Sequence, residues 1–271
     1  MIKRSILAFT VAAFSIVSSA KEIRNLHYHT ETELAGGDDY MRSQCQLDLK
    51  YPDGKTGWPV VVWFHGGGLE HGHRHYPSLP SDIAVIAVGY RLHPKVNMPV
   101  FIEDAAAAVA WTLKNIEQYG GDSEKVFVSG HSAGGYLTAM TGMDPKWLAE
   151  HNLDHKKIAG LIPVSGQMSK HFNVKKWMGY TGPKFRPVVD KYAPLYHISG
   201  DLPPVCLITG GRDIEWPCRV EENELLSISL KKSGNKMVEF HEMNGLNHGT
   251  VGKGAMFIIP GFIRRVLNTN K

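Results

Sequence analysis

The chain has 271 residues, of which 43% are hydrophobic and 21% charged, with a formal net charge of +4. That is enough sequence for one large α/β domain with a substantial core, in an ordinary globular composition. The absence of any basic run or stripe argues against nucleic acid as a partner, and three scattered cysteines (Cys45, Cys206, Cys218) are too few for a disulfide framework or a zinc site. One bridge in an oxidising compartment and buried free thiols both remain compatible with them.

The first twenty residues stand apart. Lys3 and Arg4 precede an apolar run over 6–17 that ends in Ser18-Ser19-Ala20, with small residues at the −3 and −1 positions. This is the pattern of a secretory signal peptide cleaved after Ala20, and it predicts export to the periplasm or beyond. About twelve apolar residues cannot cross a bilayer that needs about 20. No cysteine follows the cleavage point, so a lipid anchor is not expected, and removing Lys3 and Arg4 leaves a net charge of +2. Residues 21–271 then form a single domain.

Taken in order, 23–30 and 44–51 alternate in polarity and predict an N-terminal strand pair turning at Gly36-Gly37-Asp38-Asp39. Residues 59–64 form a continuous apolar run, the mark of a strand buried on both faces, and 83–90 repeat it. An Ala-rich helix is predicted over 99–119, closed by Gly120-Gly121. A short strand over 126–128 leads through a tight turn into a helix from Ala133. Strands follow at 158–164, 205–209 and 237–243, with helices at 219–232 and 255–267. Residues 167–203 are irregular, polar and basic, with interspersed aromatics, and read as an insertion over one sheet edge. Apolar strands alternating with helices mean a mostly parallel, doubly wound sheet with helices on both faces.

Chemistry in such sheets sits at the carboxyl ends of the strands. The turn Gly130-His131-Ser132-Ala133-Gly134 has the G-x-S-x-G form that lifts a serine out of a strand-to-helix bend, marking Ser132 as a nucleophile. After Phe64 stands His65-Gly66-Gly67-Gly68, whose backbone amides can turn towards one point and hold an oxyanion. It lacks the frame of a phosphate-binding loop. After Thr209 come Asp213 and Glu215, either able to orient a histidine. Asp213 is preferred because it lies nearer the strand end. Of fourteen histidines, His248 alone follows the last strand's exit, in a glycine-flanked loop. The order Ser132, Asp213, His248 is the serine, acid, histidine order of an α/β-hydrolase.

The chain resembles α/β-hydrolase carboxylesterases of the hormone-sensitive-lipase-like class, and especially the bacterial feruloyl-esterase-like group. The matching pieces are His65-Gly-Gly-Gly-Leu, Gly89-Tyr-Arg-Leu-His-Pro94, Gly120-Gly-Asp, Gly130-His-Ser-Ala-Gly-Gly135 and Gly210-Gly-Arg-Asp. Departures at His93 and Gly211 leave the catalytic residues untouched. The resemblance implies Ser132 as nucleophile, His248 as base, Asp213 as acid, and the amides of Gly67, Gly68 and Ala133 as oxyanion hole. No metal or organic cofactor is implied. With export, it points to esters on extracellular polysaccharide, acetyl or feruloyl groups among them. An amidohydrolase of the arylformamidase type, or a non-catalytic binding module on the same scaffold, are the competing readings. Loss of the serine, the histidine or the glycine loop would mark the latter, and all are retained. His71, His73 and His75 suggest a metal site by their alternation, but a polar loop at the site's mouth is the simpler reading. Asp104 reads as a structural carboxylate on its helix, and Arg91 as paired with a neighbouring acid.

Overall fold

The computed structural model describes residues 20–269, so the apolar leader, up to residue 19, lies outside the described residues. Strand β1 (Ala20–His27) pairs antiparallel with β2 (Gln46–Pro52). The link between them is not the simple turn expected from the glycines. Thr30 and Glu33 form a capping box on helix α1 (Glu31–Gly36), and Asp38 caps α2 (Asp39–Gln44). Each cap satisfies amide groups that a helix start leaves without partners, so two short helices form where glycines alone suggest a bend.

Strands β3 (Trp58–Phe64) and β4 (Ala84–Val88) follow, then helix α3 (Val100–Asn115), extended by a 3₁₀ turn over Ile116–Tyr119. Strand β5 (Gly121–His131) runs into α4 (Ala133–Met143), and a short α5 (Pro145–Ala149) precedes β6 (Gly160–Val164). Helix α6 (Phe172–Trp177) lies inside the segment read as irregular. The chain then completes β7 (Val205–Gly210), α7 (Arg219–Lys232), β8 (Val238–Met243) and α8 (Val251–Thr269).

The eight strands form one sheet in the order β1-β2-β4-β3-β5-β6-β7-β8. Strand β2 is antiparallel to both its neighbours, and every pairing from β4 to β8 is parallel. Period-two alternation sends successive side chains to opposite faces. Val60, Val62 and Phe64 of β3 therefore pack with α3 and α4, while Val61 and Trp63 join Phe127, Ile162 and Ile208 under the apolar stripe of α8. With both faces covered, the central strands need no polar side, which is why they appear as unbroken apolar runs. One ion pair is locked into this frame: Asp104 on α3 is fully buried and accepts from Arg91, with Nη2 to Oδ1 at 2.6 Å.

Candidate active site

Four loops leave the carboxyl edge of the sheet and meet over β5. The first is the bend after β5. Ser132 sits at φ 58°, ψ −115°, a strained conformation outside the ordinary helical and extended regions, and opens α4. Such strain persists only where the surroundings enforce it. A Cβ on Gly134 would stand 2.0 Å from the Phe64 carbonyl oxygen, so the elbow presses directly on β3 and tolerates no side chain there. The Ser132 amide donates to the Val164 carbonyl at 2.8 Å, which ties the bend to β6 as well.

The second loop carries His248. Its Nε2 lies 2.8 Å from Ser132 Oγ, and its Nδ1 lies 2.6 Å from Glu215 Oε1. An ionised carboxylate only accepts, so Nδ1 carries the proton and Nε2 is the free acceptor facing the serine hydroxyl. The ring is also held from outside the triad. Trp216 stacks on it with centroids 4.1 Å apart and planes 17° apart. His131, the variable residue before the nucleophile, places Nε2 2.8 Å from the His248 carbonyl oxygen and so anchors that loop's backbone.

The third loop corrects the expectation for the acid. Asp213 is exposed and does not reach His248; Glu215, with its side chain fully buried, occupies the acid position. The reason is the turn after β7. Amides of Ile214 and Glu215 both donate to the Gly211 carbonyl, which swings residue 213 outward and returns residue 215 over the strand end. There Ser165 Oγ donates to Oε2 at 2.6 Å, Gly210 N–H to Oε2 at 3.1 Å and Trp216 N–H to Oε1 at 2.8 Å. Burial by itself would raise the Glu215 carboxyl. The hydrogen bonds from His248, Ser165 and the Trp216 amide outweigh it and hold the group at about 2.

The fourth loop follows β3. Gly67 and Gly68 have φ of +110° and +67°, left-handed values that glycine reaches without a Cβ penalty. A Cβ on Gly67 would lie 2.1 Å from the His71 carbonyl oxygen. Asn173 of α6 donates through Nδ2 to the Gly68 carbonyl at 2.8 Å and to Glu70 Oε2 at 3.2 Å, fixing the peptide next to the serine. Behind the loop, His65 is buried, stacked on Tyr90 at 4.3 Å. Ala133 is the first residue of α4, where amides have no acceptor within the helix. Gly67 and Gly68 thus border the same cleft as Ser132, and Ala133 follows the serine directly.

These groups face a cleft of about 420 Å³ bounded also by Glu70, His71, Phe172, Asn173 and Lys184. On the far side of His131 an apolar groove of about 840 Å³ runs between residues 75–80 and α8. His71 lines the cleft and His75 the groove, so the alternating histidines do not converge on one point. The three cysteines are free thiols, with Cys45 and Cys206 buried. Sequence reasoning missed Ser165 and Asn173 as parts of the site, and for Trp216 it preferred plain packing to stacking on a substrate ring.

A protein-family model with the description BD-FAE matches residues 47–226, well over half of the chain. The chain belongs to the BD-FAE family. Its curated relatives include esterase LipC of Mycobacterium tuberculosis, 26% identical over 220 residues, which covers 70% of this chain and 53% of LipC. Carboxylesterase NlhH of the same species is 38% identical over 89 residues, covering 30% of this chain and 28% of NlhH. The chain therefore spans about half, or less, of the length of these relatives. Among solved structures, a bacterial heroin esterase superposes with a TM-score of 0.67 at 23% identity, covering 94% of this chain and 87% of the other. A truncated carbohydrate esterase from gut microbiota does so with a TM-score of 0.68 at 15% identity, covering 92% and 98%. At these identities the likeness establishes the α/β-hydrolase fold of this BD-FAE member.

Proposed function

We propose that the protein is a carboxylic ester hydrolase working through an acyl-enzyme on Ser132. The observation that carries this is the continuous hydrogen-bonded path from Ser132 Oγ through His248 to Glu215. As Oγ attacks an ester carbonyl, His248 Nε2 takes its proton, and the Glu215 carboxylate holds the tautomer and stabilises the imidazolium. The carbonyl oxygen becomes an oxyanion within reach of the Gly67, Gly68 and Ala133 amides, each such donor being worth about 3 kcal/mol. His248 then protonates the departing alcohol. Water, deprotonated by the same nitrogen, releases the acid and regenerates the serine.

Family membership and esterase-named relatives support ester over amide chemistry. We further propose export, on the leader at residues 1–20, and an ester of extracellular polysaccharide as substrate, acetyl or feruloyl being the candidate groups. The carbohydrate esterase that shares this fold is consistent with that class of substrate. Hydrolysis of p-nitrophenyl acetate by the pure protein, lost in Ser132→Ala, is the expected result. An inactive wild type, or an undiminished variant, would remove the ester-hydrolase reading. Acid release from acetylated xylan and from feruloylated arabinoxylan then separates the two acyl groups. Recovery of a chain beginning at Lys21 outside the cytoplasm tests export.

A further inference from the structure

Next to the cleft, beyond Phe172, lies a recess of about 270 Å³ whose other walls include Lys175, Lys176, Tyr180 and Lys184. Phe172, Asn173 and Lys184 border both spaces, so recess and cleft lie side by side. The segment 167–203 that builds the recess carries six Lys or Arg and two Asp, which makes it the source of a positive field at the mouth.

Its lysines play different parts. Lys175 is 2% exposed, and its ammonium donates to the carbonyls of Pro183 and Arg186, clamping the loop between them from beneath. That loop presents Lys184. The Lys184 ammonium lies 4.5 Å from the ring centre of Phe172, 5.1 Å from Phe185 and 5.6 Å from Trp216. Trp216 is the ring stacked on His248, so this cation stands one aromatic ring away from the base. The Lys170 ammonium is neutralised by Asp190. Neither Lys176 nor Lys184 forms an ion pair among the described residues. The acid bordering the cleft, Glu70, already accepts from Asn173. Three rings hold an ammonium in place, but the cation–π contact of an exposed lysine contributes only about 0.5–1 kcal/mol. A carboxylate would supply the stronger, charge-assisted hydrogen bond that this ammonium lacks.

We propose that the recess is a subsite for a carboxylate borne by the ester substrate, held by Lys184 and Lys176 while the ester lies over Ser132. The inference rests on the ester-hydrolase reading. It narrows the substrate class to acidic esters, such as those of uronic acids or of dicarboxylic acyl groups. Lys175 acts as a positioning residue for the loop.

Two matched ester pairs test it at low and high salt. The p-nitrophenyl monoester of glutaric acid against p-nitrophenyl valerate puts the anion on the acyl side. The acetate ester of 4-hydroxybenzoate against that of 4-hydroxybenzamide puts it on the alcohol side. In one pair the acidic member should be preferred about tenfold in kcat/KM at low salt, through KM, with most of the preference lost at high salt. The double variant Lys176→Gln/Lys184→Gln should abolish that ratio, and Lys191→Gln, on the same segment but off the recess, should keep it. Hydrolysis of the neutral esters with no acidic preference in either pair, or with a preference the double variant retains, overturns the subsite. No turnover of any of the four esters overturns the ester-hydrolase reading itself.

Discussion

Glu215 Oε1 stands 2.6 Å from His248 Nδ1, while Asp213, two residues earlier at the same strand exit, points into solvent. Glu215→Gln should lower kcat roughly 10³-fold or more, because an amide supplies neither the charge that stabilises the imidazolium nor an unambiguous tautomer. Asp213→Asn should stay within about twofold of wild type. Initial rates on p-nitrophenyl acetate decide between them, and the reverse ranking would return the role to Asp213.

Ser165 holds φ 44° and donates to the far oxygen of the acid at 2.6 Å. Ser165→Ala keeps the backbone but leaves one buried oxygen of Glu215 with the Gly210 amide alone. A loss of about 1–3 kcal/mol in unfolding free energy is expected, with kcat reduced and KM little changed. Urea denaturation beside steady-state kinetics would show it. A variant as stable and as fast as wild type would mean that this hydroxyl neither stabilises nor orients the acid.

The elbow's contact with β3 makes a sharper claim. Gly134→Ala places a methyl 2.0 Å from a backbone oxygen that has no room to retreat. The expected cost is about 3 kcal/mol or more. Thermal melting should reveal a large drop or an unfolded product, and a melting temperature near that of wild type would contradict the packing described.

Buried histidines set the acid limb of stability. Burial holds His65 and His131 at about 4 and His171 well below its ordinary 6.5. Between pH 6.5 and 4 the unfolded chain binds protons that the folded chain refuses. Stability is therefore complete above 6.5 and falls as the pH drops, by up to about 1.4 kcal/mol per pH unit for each ring. Glu215, held at about 2 against an ordinary 4.5, adds stability that is present above 4.5 and is lost as the pH falls towards 2. Urea midpoints at pH 7.5, 6.5, 5.5 and 4.5 should decline through the last three. A flat profile would show that the rings are not buried neutral.

Most of the sheet was legible because doubly buried strands leave unbroken apolar runs, and α7 is found where its residues were read, at 219–232. Ser132, His248 and the glycine loop were legible because strand exits and glycine context mark them. The acid was not. Choosing between Asp213 and Glu215 depends on how far the chain rotates in the turn after Gly210, and distance from the strand end does not report rotation. Two hydrogen bonds to the Gly211 carbonyl decide it, reversing the order of preference. The link between β1 and β2 was misread for a different reason. Its glycines drew attention, although Thr30, Glu33 and Asp38 already carried the capping pattern of two helix starts. In 167–203, polar residues suggested an irregular insertion over one sheet edge, yet Gln167, Ser169, His171, Asn173 and Lys175 are buried, their polar atoms engaged with one another and with backbone.

His131 occupies the place that the five-residue serine pattern leaves free, and in this chain it is not free. By donating to the carbonyl of His248 it makes the nucleophile's own bend the seat on which the base-bearing loop rests. Serine and histidine, 116 residues apart in sequence, are thus registered to each other by main chain as well as by the bond between their side chains. A homologue with an apolar residue at this place must find another tether for that loop. Drift at a position that looks permissive would then be felt first as a loosened base, with the serine itself unmoved.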